Sequence, residues 1–488
     1  MKDTPTLSVG REALLALGSK VLMAAIGFGG YLLFTFLIGR EGMGNYEAVL
    51  AAAFVLAQIP AGIGTAIKKR VSEVDIDPPE FLGVGIVAHA VFTLLLVVVY
   101  LLVEPWAAAY FGSSDLALGV VLVVFSLGLF NVTNRFYSGT GHPAASSWAD
   151  ALRSVLTFGG QLFLVWWGLE TFGLVVGLVA ATFLTGVVSA VASKVTPAIP
   201  TAETARTVYD FARWSVPTSM LTNLYSSADV LILKGLAGVA LAGPVGASGA
   251  GMYGLAKRLA MPAAMFAGSI RDALSVKSSG VDSAGGEVRA DLANSLSYTG
   301  LVAIPLFFGA LAIDDALLLF FDESYADGPA LAITGMALFQ VFNTFRLPFE
   351  AVLEGTDRPR TIFRVNVVIL IVHVPLAVAL GYAYGLMGVI GATITAEALR
   401  VLVYQYVAHT DYGGVVLTRP MAEQTLAGLA MLGVVVGLRE YVVSIQSILW
   451  LVLVVGVGAG VYFTVLLAIS GHFRETLRYT VPGADRVL

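Results

Sequence analysis

The sequence predicts an all-α membrane protein with about fourteen transmembrane helices. Of its 488 residues, 57% are hydrophobic and only 12% are charged, whereas about a quarter of the residues in a soluble globular protein are charged. The mean hydropathy is +0.85. Apolar runs such as residues 21–39 and 81–103 reach the roughly 20-residue length that a helix needs to cross the hydrocarbon core.

The spans follow one another along the whole chain with short connections. The first eight lie near 13–39, 45–67, 81–103, 116–139, 148–167, 171–193, 211–239 and 248–273. The last six lie near 293–320, 329–353, 362–385, 387–409, 421–438 and 446–470. The short connections leave no room for a soluble catalytic domain, and no glycine-rich phosphate loop ending in Gly-Lys-Ser/Thr is present. We therefore expect a protein that is not an enzyme.

Basic residues predict how the spans are oriented, because Lys and Arg concentrate in short cytoplasmic loops. The loops that lie on one side of the membrane receive nearly all of the cations: residues 68–70, Lys194, Arg206, Arg271, Lys277, Arg289, residues 358–360, Arg364, Arg419, Arg474, Arg478 and Arg486. The loops on the other side receive only Arg40, Lys234 and Arg439. We therefore expect the basic loops and both termini to be cytoplasmic, in a multi-pass protein of the cell membrane.

Two pairs of similar segments indicate an internal repeat. Residues 39–54 and 246–261 each lead into a span with the pattern Gly-x-Tyr: Gly44 and Tyr46 in the first, Gly251 and Tyr253 in the second. The turns SGTGHP and EGTDRP follow them in the same order. Weak internal symmetry is a mark of transporters that are built from two bundles of helices.

The repeat predicts three parts of the chain. Residues 1–200 form an N-terminal six-helix lobe, and residues 201–412 form a second lobe that is related to the first by a pseudo-two-fold axis. Residues 413–488 provide two extra transmembrane helices and a cytoplasmic tail.

The segments that carry the repeat resemble the polysaccharide biosynthesis flippases. Residues 37–73, residues 226–236 with 251–266, and residues 354–368 are similar to the characteristic stretches at spans 1–2, 7–8 and 10–11 of that family. The family belongs to the multidrug/oligosaccharidyl-lipid/polysaccharide transporter superfamily. The resemblance implies two six-helix bundles, often with two extra helices. It also implies transfer of a lipid-linked sugar from the cytoplasmic to the outer leaflet by alternating access.

The resemblance also implies which charged residues meet the substrate. Arg258 lies where the family commonly keeps a basic residue that binds the substrate phosphate, with Lys257 beside it, and Asp229 lies where the family often has an acid. Charged side chains within spans usually face the protein interior, where they pair with one another or with a substrate. For Lys257 the alternative is that its ammonium group extends along the helix to the membrane interface.

Four further charged residues are weaker candidates. Lys20 and Arg135 are candidate substrate-binding residues, although Lys20 also fits an anchor at the cytoplasmic end of span 1. Arg346 is a third, but Glu350 follows it at i+4, and an internal ion pair explains it equally well. Glu47 is a candidate charge partner or ion-coupling site.

The expected substrate is a polyprenyl- or dolichyl-phosphate-linked sugar or oligosaccharide. Surrounding membrane lipid is the other expected partner, and we expect no nucleic-acid partner, no cofactor and a monomeric protein. The chain has no Cys, which excludes thiolate metal sites, and its five His residues are scattered singly. We therefore expect no metal site.

Two other functions fit a chain of this composition. A cation-coupled multidrug exporter of the same superfamily needs a membrane-embedded carboxylate, and residues 21–39 of span 1 contain none. A membrane glycosyltransferase or ligase usually has acidic or His residues on a sizeable outer loop, whereas the outer loops here are short. The prevalence of intramembrane cations favours an anionic substrate, and therefore the flippase.

The predicted topology can be tested by labelling single cysteines in this Cys-free chain. Cysteines introduced at 68–80, 194–210 or 274–292 should resist an impermeant thiol reagent in intact cells, because these loops hold the basic clusters. Cysteines at 109 or 325 should be labelled. Equal labelling of both groups would contradict the topology.

Overall fold

The structure is a computed structural model that describes residues 9–73, 78–283, 286–411, 414, 416–442, 445 and 447–480. Within these residues the chain is helical and contains no β-strand. The prediction of an all-α fold is therefore confirmed.

The helices follow one another in an order close to that of the predicted spans. In the first half of the chain they are α1 Val9–Leu56, α2 Gln58–Val71, α3 Pro78–Phe111, α4 Ser114–Gly139, α5 Pro143–Leu164, α6 Glu170–Ala192 and α7 Ala202–Gly235. In the second half they are α8 Gly246–Ser283, α9 Arg289–Leu318, α10 Glu323–Ala326, α11 Leu331–Gly355, α12 Pro359–Asp411, α13 Arg419–Tyr441, α14 Ile448–Ile469 and α15 Gly471–Thr480. A π-helical turn, Val165–Leu169, joins α5 to α6.

Two of the long helices run from one predicted span into the next through a glycine: α12 contains both 362–385 and 387–409, whereas α1 contains 13–39 and the first half of 45–67, which continues into α2. Gly39 in α1 has φ 73° and Gly385 in α12 has φ 61°. Glycine adopts this region readily because it has no Cβ to clash with the following carbonyl. The closely spaced spans predicted at 362–385 and 387–409 are thus two helical segments that meet at a kink.

Eight helical stretches in the described part of the chain are long and apolar enough to cross a membrane. They are Gly18–Leu56, Pro78–Phe111, Ser114–Gly139, Pro143–Ala192, Arg289–Leu318, Pro359–Asp411, Arg419–Tyr441 and Ile448–Ile469. Helices α7, α8 and α11, which were also predicted as spans, are more polar and are not among the eight. Polar helices cross a bilayer when their polar groups face protein or a water-filled cavity.

Packing divides the chain into two compact units. The first consists of Met1–Gly238 with Val245–Gly251, and the second of Val239–Pro244 with Met252–Leu488. In the first unit α4 packs against α2, α3 and α6, and α5 packs against α1 and α6. In the second unit α9 packs against α11 and α13, and α12 packs against α11.

This division differs from the predicted domain boundary at residue 200. Helix α7, which was assigned to the second lobe, belongs to the first unit because it packs against α1, α2 and α3. The predicted extra helices, α13 and α14, belong to the second unit, in which both pack against α9. The predicted lobes, their boundaries and their pseudo-two-fold axis stay predictions.

One of the positions proposed for labelling needs a substitute. Ala109 is exposed, as its labelling requires, but the side chain of Tyr325 is fully buried. Asp327, two residues later, is exposed and provides the same information about that loop.

Two glycines of the predicted repeat lie in a close contact within the first unit. A Cβ atom on Gly44 would lie 1.7 Å from the carbonyl oxygen of Ala247, and one on Gly251 would lie 1.9 Å from that of Arg40. Small residues that let two helix backbones approach are a common means of packing in membranes. Helix α1 and the first turns of α8 therefore depend on glycine at both positions.

The substitution Gly44→Ala should destabilise the protein by about 1–3 kcal/mol, because the overlapping atom is a backbone carbonyl that can move only with its helix. Gly27→Ala is the control, since Gly27 lies in the same helix and a Cβ there would have no neighbour within 4 Å. Thermal unfolding of the detergent-purified proteins would compare them. Equal melting temperatures for the two variants would contradict the contact.

Candidate functional site

The second unit contains a network of buried charges between α11 and α12. The Arg346 guanidinium lies 2.5 Å from a carboxylate oxygen of Glu350 and 2.6 Å from one of Glu397. Glu397 also lies 3.4 Å from Arg400, and the Tyr404 hydroxyl donates a 3.1 Å hydrogen bond to Glu350. The side chain of Glu397 is fully buried and that of Arg346 is 15% exposed. We call Arg346, Glu350, Glu397 and Arg400 the α11–α12 ion network.

Helical spacing explains how the network assembles. Arg346 and Glu350 lie four residues apart on α11, and Glu397 and Arg400 lie three apart on α12, so each pair shares one helix face. Gly335 lets the two helices approach, because a Cβ there would lie 2.6 Å from a methyl group of Ile390.

The ion network is balanced, since it contains two arginines and two glutamates. Arg346 also donates a 2.6 Å hydrogen bond to Asn343, so three different side chains engage its guanidinium. The sequence left two roles open for Arg346, a substrate ligand or an internal ion pair with Glu350. The observed geometry is that of the internal ion pair. The role of Arg346 as a substrate ligand stays a prediction.

The first unit contains a cavity of about 210 Å³ in which cations outnumber acids. We call it the cationic pocket. Its charged lining residues are Lys68 at the end of α2, Arg135 on α4, and Asp150 and Arg153 on α5. Its polar lining residues are Asn131, Asn134, Ser138 and Ser146.

Two glycines bring the end of α2 against α4 at this pocket. A Cβ on Gly64 would lie 2.8 Å from the carbonyl oxygen of Asn131 and 3.1 Å from Cδ of Arg135. A Cβ on Gly139 would lie 2.8 Å from the carbonyl oxygen of Lys68. The close approach lets Arg135 donate a hydrogen bond to the hydroxyl of Thr65 on α2.

Arg153 is held in place by two neighbours. Its guanidinium lies 3.2 Å from a carboxylate oxygen of Asp150, one helical turn earlier. The same guanidinium lies over the ring of Phe130, 5.1 Å from the centroid, which is a cation–π geometry. Asp150 therefore orients one cation of the pocket and offsets part of its charge.

The other predicted site residues are divided between the units. Arg258 and Lys257 are half-buried on α8 in the second unit, and the Lys257 ammonium lies 5.8 Å from the ring centroid of Tyr253. Asp229 is buried on α7 in the first unit. Their roles, including a charge balance between Asp229 and the two cations, stay predictions.

Glu47 and Lys20 both lie on α1 in the first unit. Glu47 is half-buried and Lys20 is exposed. The buried Lys234 donates a hydrogen bond to the side-chain oxygen of Asn45, which is also on α1. The predicted topology includes Lys234 only as a loop cation.

Five charged residues of these two sites were missed by the sequence interpretation: Lys68, Asp150, Arg153, Glu397 and Arg400. Glu397 and Arg400 lie inside the predicted span 387–409, and charges within an apolar run are themselves a signal for an interior site. Lys68 had been used only as evidence for topology. Arg153 lies three residues after Asp150, a spacing that indicates an intrahelical pair but not a pocket.

No group of three or more His, Asp or Glu side chains that could hold a metal occurs among the residues that the structure describes.

Comparison with known proteins identifies the family of the chain. The profile of the family described as polysaccharide biosynthesis protein matches residues 9–275. The chain belongs to this family.

Relatives in Haloferax volcanii match this family member over nearly its whole length. A protein named probable low-salt glycan biosynthesis flippase Agl15 is 23% identical, covering 96% of this chain and 98% of its own. A protein named probable flippase AglR is 24% identical, covering 96% and 97%.

Solved structures show the fold that the resemblance predicts. The lipid II flippase MurJ in its inward closed conformation superposes with a TM-score of 0.76 at 16% identity, covering 95% of this chain and all of that one. A multidrug resistance MATE family transporter of the MOP superfamily, in an inward-facing conformation, superposes with a TM-score of 0.56 at 17% identity. The superposition covers 88% of this chain and all of the transporter chain. The family member is thus a multi-span helical membrane protein with the fold of MurJ and MATE transporters.

The α11–α12 ion network should matter for stability whether or not substrate is present. Arg346→Ala should destabilise the protein by about 3–5 kcal/mol, because it leaves a buried carboxylate with one partner fewer. The control is Arg213→Ala, which removes an exposed ion pair with Asp210 that is worth about 0.2–1 kcal/mol. Thermal unfolding without substrate measures both. An Arg346→Ala protein of normal stability that fails to transport would instead make Arg346 a substrate ligand.

Proposed function

We propose that this protein is a flippase for lipid-linked glycans. It moves a sugar or oligosaccharide, linked to polyprenyl or dolichyl phosphate, from the cytoplasmic to the outer leaflet for surface polysaccharide or glycoprotein assembly. The observation that carries the proposal is the similarity, over 96% of the chain, to two proteins that are named as flippases, one of them for glycan biosynthesis. Membership of the polysaccharide biosynthesis family supports it.

The charges of the chain suit an anionic substrate that stays attached to a lipid. The phosphate linkage carries negative charge, and the candidate ligands Arg258, Lys257, Lys20 and Arg135 are all cations. Arginine binds phosphate through two parallel hydrogen bonds as well as through its charge. The proposed mechanism is alternating access, in which the substrate's polyprenyl tail remains in lipid while the headgroup crosses.

The MATE-like fold keeps a cation-coupled exporter as the second candidate. Such a pump needs a carboxylate that is available to bind a proton or sodium ion. In the second unit, Glu350 and Glu397 each lie within ion-pair distance of arginine, which disfavours both as carriers. Glu47 and Asp229 are the carboxylates of the first unit to test for coupling.

We also propose the orientation that the distribution of Lys and Arg predicts. Both termini and the basic loops lie in the cytoplasm, so the substrate enters from the side that carries the cationic clusters. The proposed protein acts as a monomer in the cell membrane, without a cofactor.

Transport should depend on membrane potential. Each negative charge that crosses the whole field from an inside-negative cytoplasm gains about 2.3 kcal/mol per 100 mV. In proteoliposomes that contain only this protein, an imposed inside-negative potential should accelerate outward movement of a fluorescent polyprenyl-phosphate sugar without ATP. A chain that moves no such lipid under either a potential or an ion gradient would refute the flippase. Transport driven only by a proton or sodium gradient, and lost in Glu47→Gln or Asp229→Asn, would indicate antiport.

Arg258 should be required for transport if it binds the phosphate. Arg258→Ala should abolish movement of the lipid-linked sugar while leaving protein level and insertion unchanged. Arg258→Lys should retain part of the activity, because an ammonium still attracts phosphate but lacks the planar fork of donors. The same transport assay distinguishes the variants, and normal transport by Arg258→Ala would assign Arg258 a structural role.

A further inference from the structure

We propose that the cationic pocket of the first unit binds the phosphoryl group of the lipid-linked substrate at the cytoplasmic side. The inference rests on the proposed function, but it assigns a second phosphate site with its own residues. Its cations are Lys68, Arg135 and Arg153, and only Arg135 was a candidate in the sequence.

The charge of the pocket indicates an anionic ligand. Three cations and one carboxylate line the pocket, and that carboxylate, Asp150, is already paired with Arg153. Cations that line a protein cavity are usually balanced by acids or by a bound anion. The α11–α12 ion network has an acid for each arginine, whereas the pocket leaves an excess of positive charge.

The hydrogen-bonding groups of the pocket fit phosphate. The Arg135 guanidinium has five N–H donors, of which one bonds the Thr65 hydroxyl, and this bond fixes its position. The amide of Asn131 and the hydroxyl of Ser138 line the same cavity. Phosphate oxygens accept several charge-assisted hydrogen bonds at once.

The size of the pocket limits how much of the substrate it can enclose. Its volume of about 210 Å³ lies below the roughly 300–1,000 Å³ of sites that enclose drug-sized ligands. At about 30 Å³ per water molecule it has room for an anion with a few waters. An oligosaccharide and the polyprenyl chain would therefore lie outside it.

The position of the pocket fits entry from the cytoplasmic leaflet. Lys68 begins the basic cluster 68–70, and Ser138 and Ser146 flank the turn between α4 and α5. The predicted topology places both segments on the cytoplasmic side. Lipid phosphates lie at the membrane surface, where this topology places both segments, so a substrate headgroup can reach the pocket before it crosses.

The proposal can be tested with the full-length protein in phosphatidylcholine nanodiscs, using a short-chain polyprenyl phosphate as the probe. Lys68→Gln and Arg135→Gln should each weaken its binding about tenfold, the effect of losing one hydrogen bond to a charged group. Arg135→Lys should recover part of the affinity. The control is Lys69→Gln, since Lys69 is also exposed and adjacent but does not line the pocket. That variant should bind as the unsubstituted protein does.

Lys68 is exposed, so its substitution should leave folding intact, and the melting temperature of each variant checks this. Unchanged binding by folded Lys68→Gln and Arg135→Gln proteins would overturn the proposal. Equal competition by phosphatidylglycerol would assign the pocket to bulk lipid, and equal competition by inorganic phosphate would assign it to a soluble anion. Either result would overturn the assignment to substrate.

The pocket and the flippase can fail separately. If the unsubstituted protein moves the lipid-linked sugar and the pocket variants bind and move it equally well, only the pocket assignment is wrong. If the pocket binds polyprenyl phosphate but the protein moves no lipid-linked sugar, the phosphate site stands and the proposed function is wrong.

Discussion

The exclusion of water from the bilayer core is the constraint on which the rest of this structure depends. Backbone N–H and C=O groups find no water there, so the chain crosses as helices that satisfy these groups internally. The same constraint acts on charged side chains, which are stable only when they pair or face a polar cavity. The two predicted spans that carry the most charged residues, 211–239 in α7 and 248–273 in α8, are also not among the helices that are apolar enough to be classed as spans by composition.

The two units meet this constraint for buried charge in different ways. In the second unit, Arg346 and Arg400 are matched by Glu350 and Glu397, which gives a network with no excess charge. Such a network costs desolvation energy and holds α11 and α12 in one arrangement, but it offers little attraction to a charged ligand. In the first unit, the cationic pocket keeps an excess of positive charge next to a predicted cytoplasmic loop. An unbalanced cationic cleft raises the local concentration of anions, and that property suits recognition of a phosphate.

Glycine sets the distances on which both arrangements rely. Gly64 and Gly139 bring α2 against α4, and without this approach Arg135 would not reach Thr65 and the end of α2 would not bring Lys68 to the pocket. Gly335 has the same effect between α11 and α12. Tight packing of helices in lipid depends on such contacts, because there is no hydrophobic driving force between helices that are already in an apolar solvent. The electrostatic sites are thus consequences of backbone packing.

The sequence by itself determined the membrane class, the positions of the helices and the family resemblance. These depend on local composition, since a run of about twenty apolar residues forms a spanning helix whatever it packs against. The sequence also indicated the ion pair between Arg346 and Glu350, because a helix brings residues i and i+4 together.

The tertiary structure alone decided that Glu397, 51 residues further along the chain from Arg346, completes the α11–α12 ion network. It decided equally that α7 packs with the first unit, and that Lys68, Arg135 and Arg153 share one pocket. Contacts between helices depend on which faces meet and how closely, and hydropathy carries no such information because lipid-facing and protein-facing surfaces are both apolar.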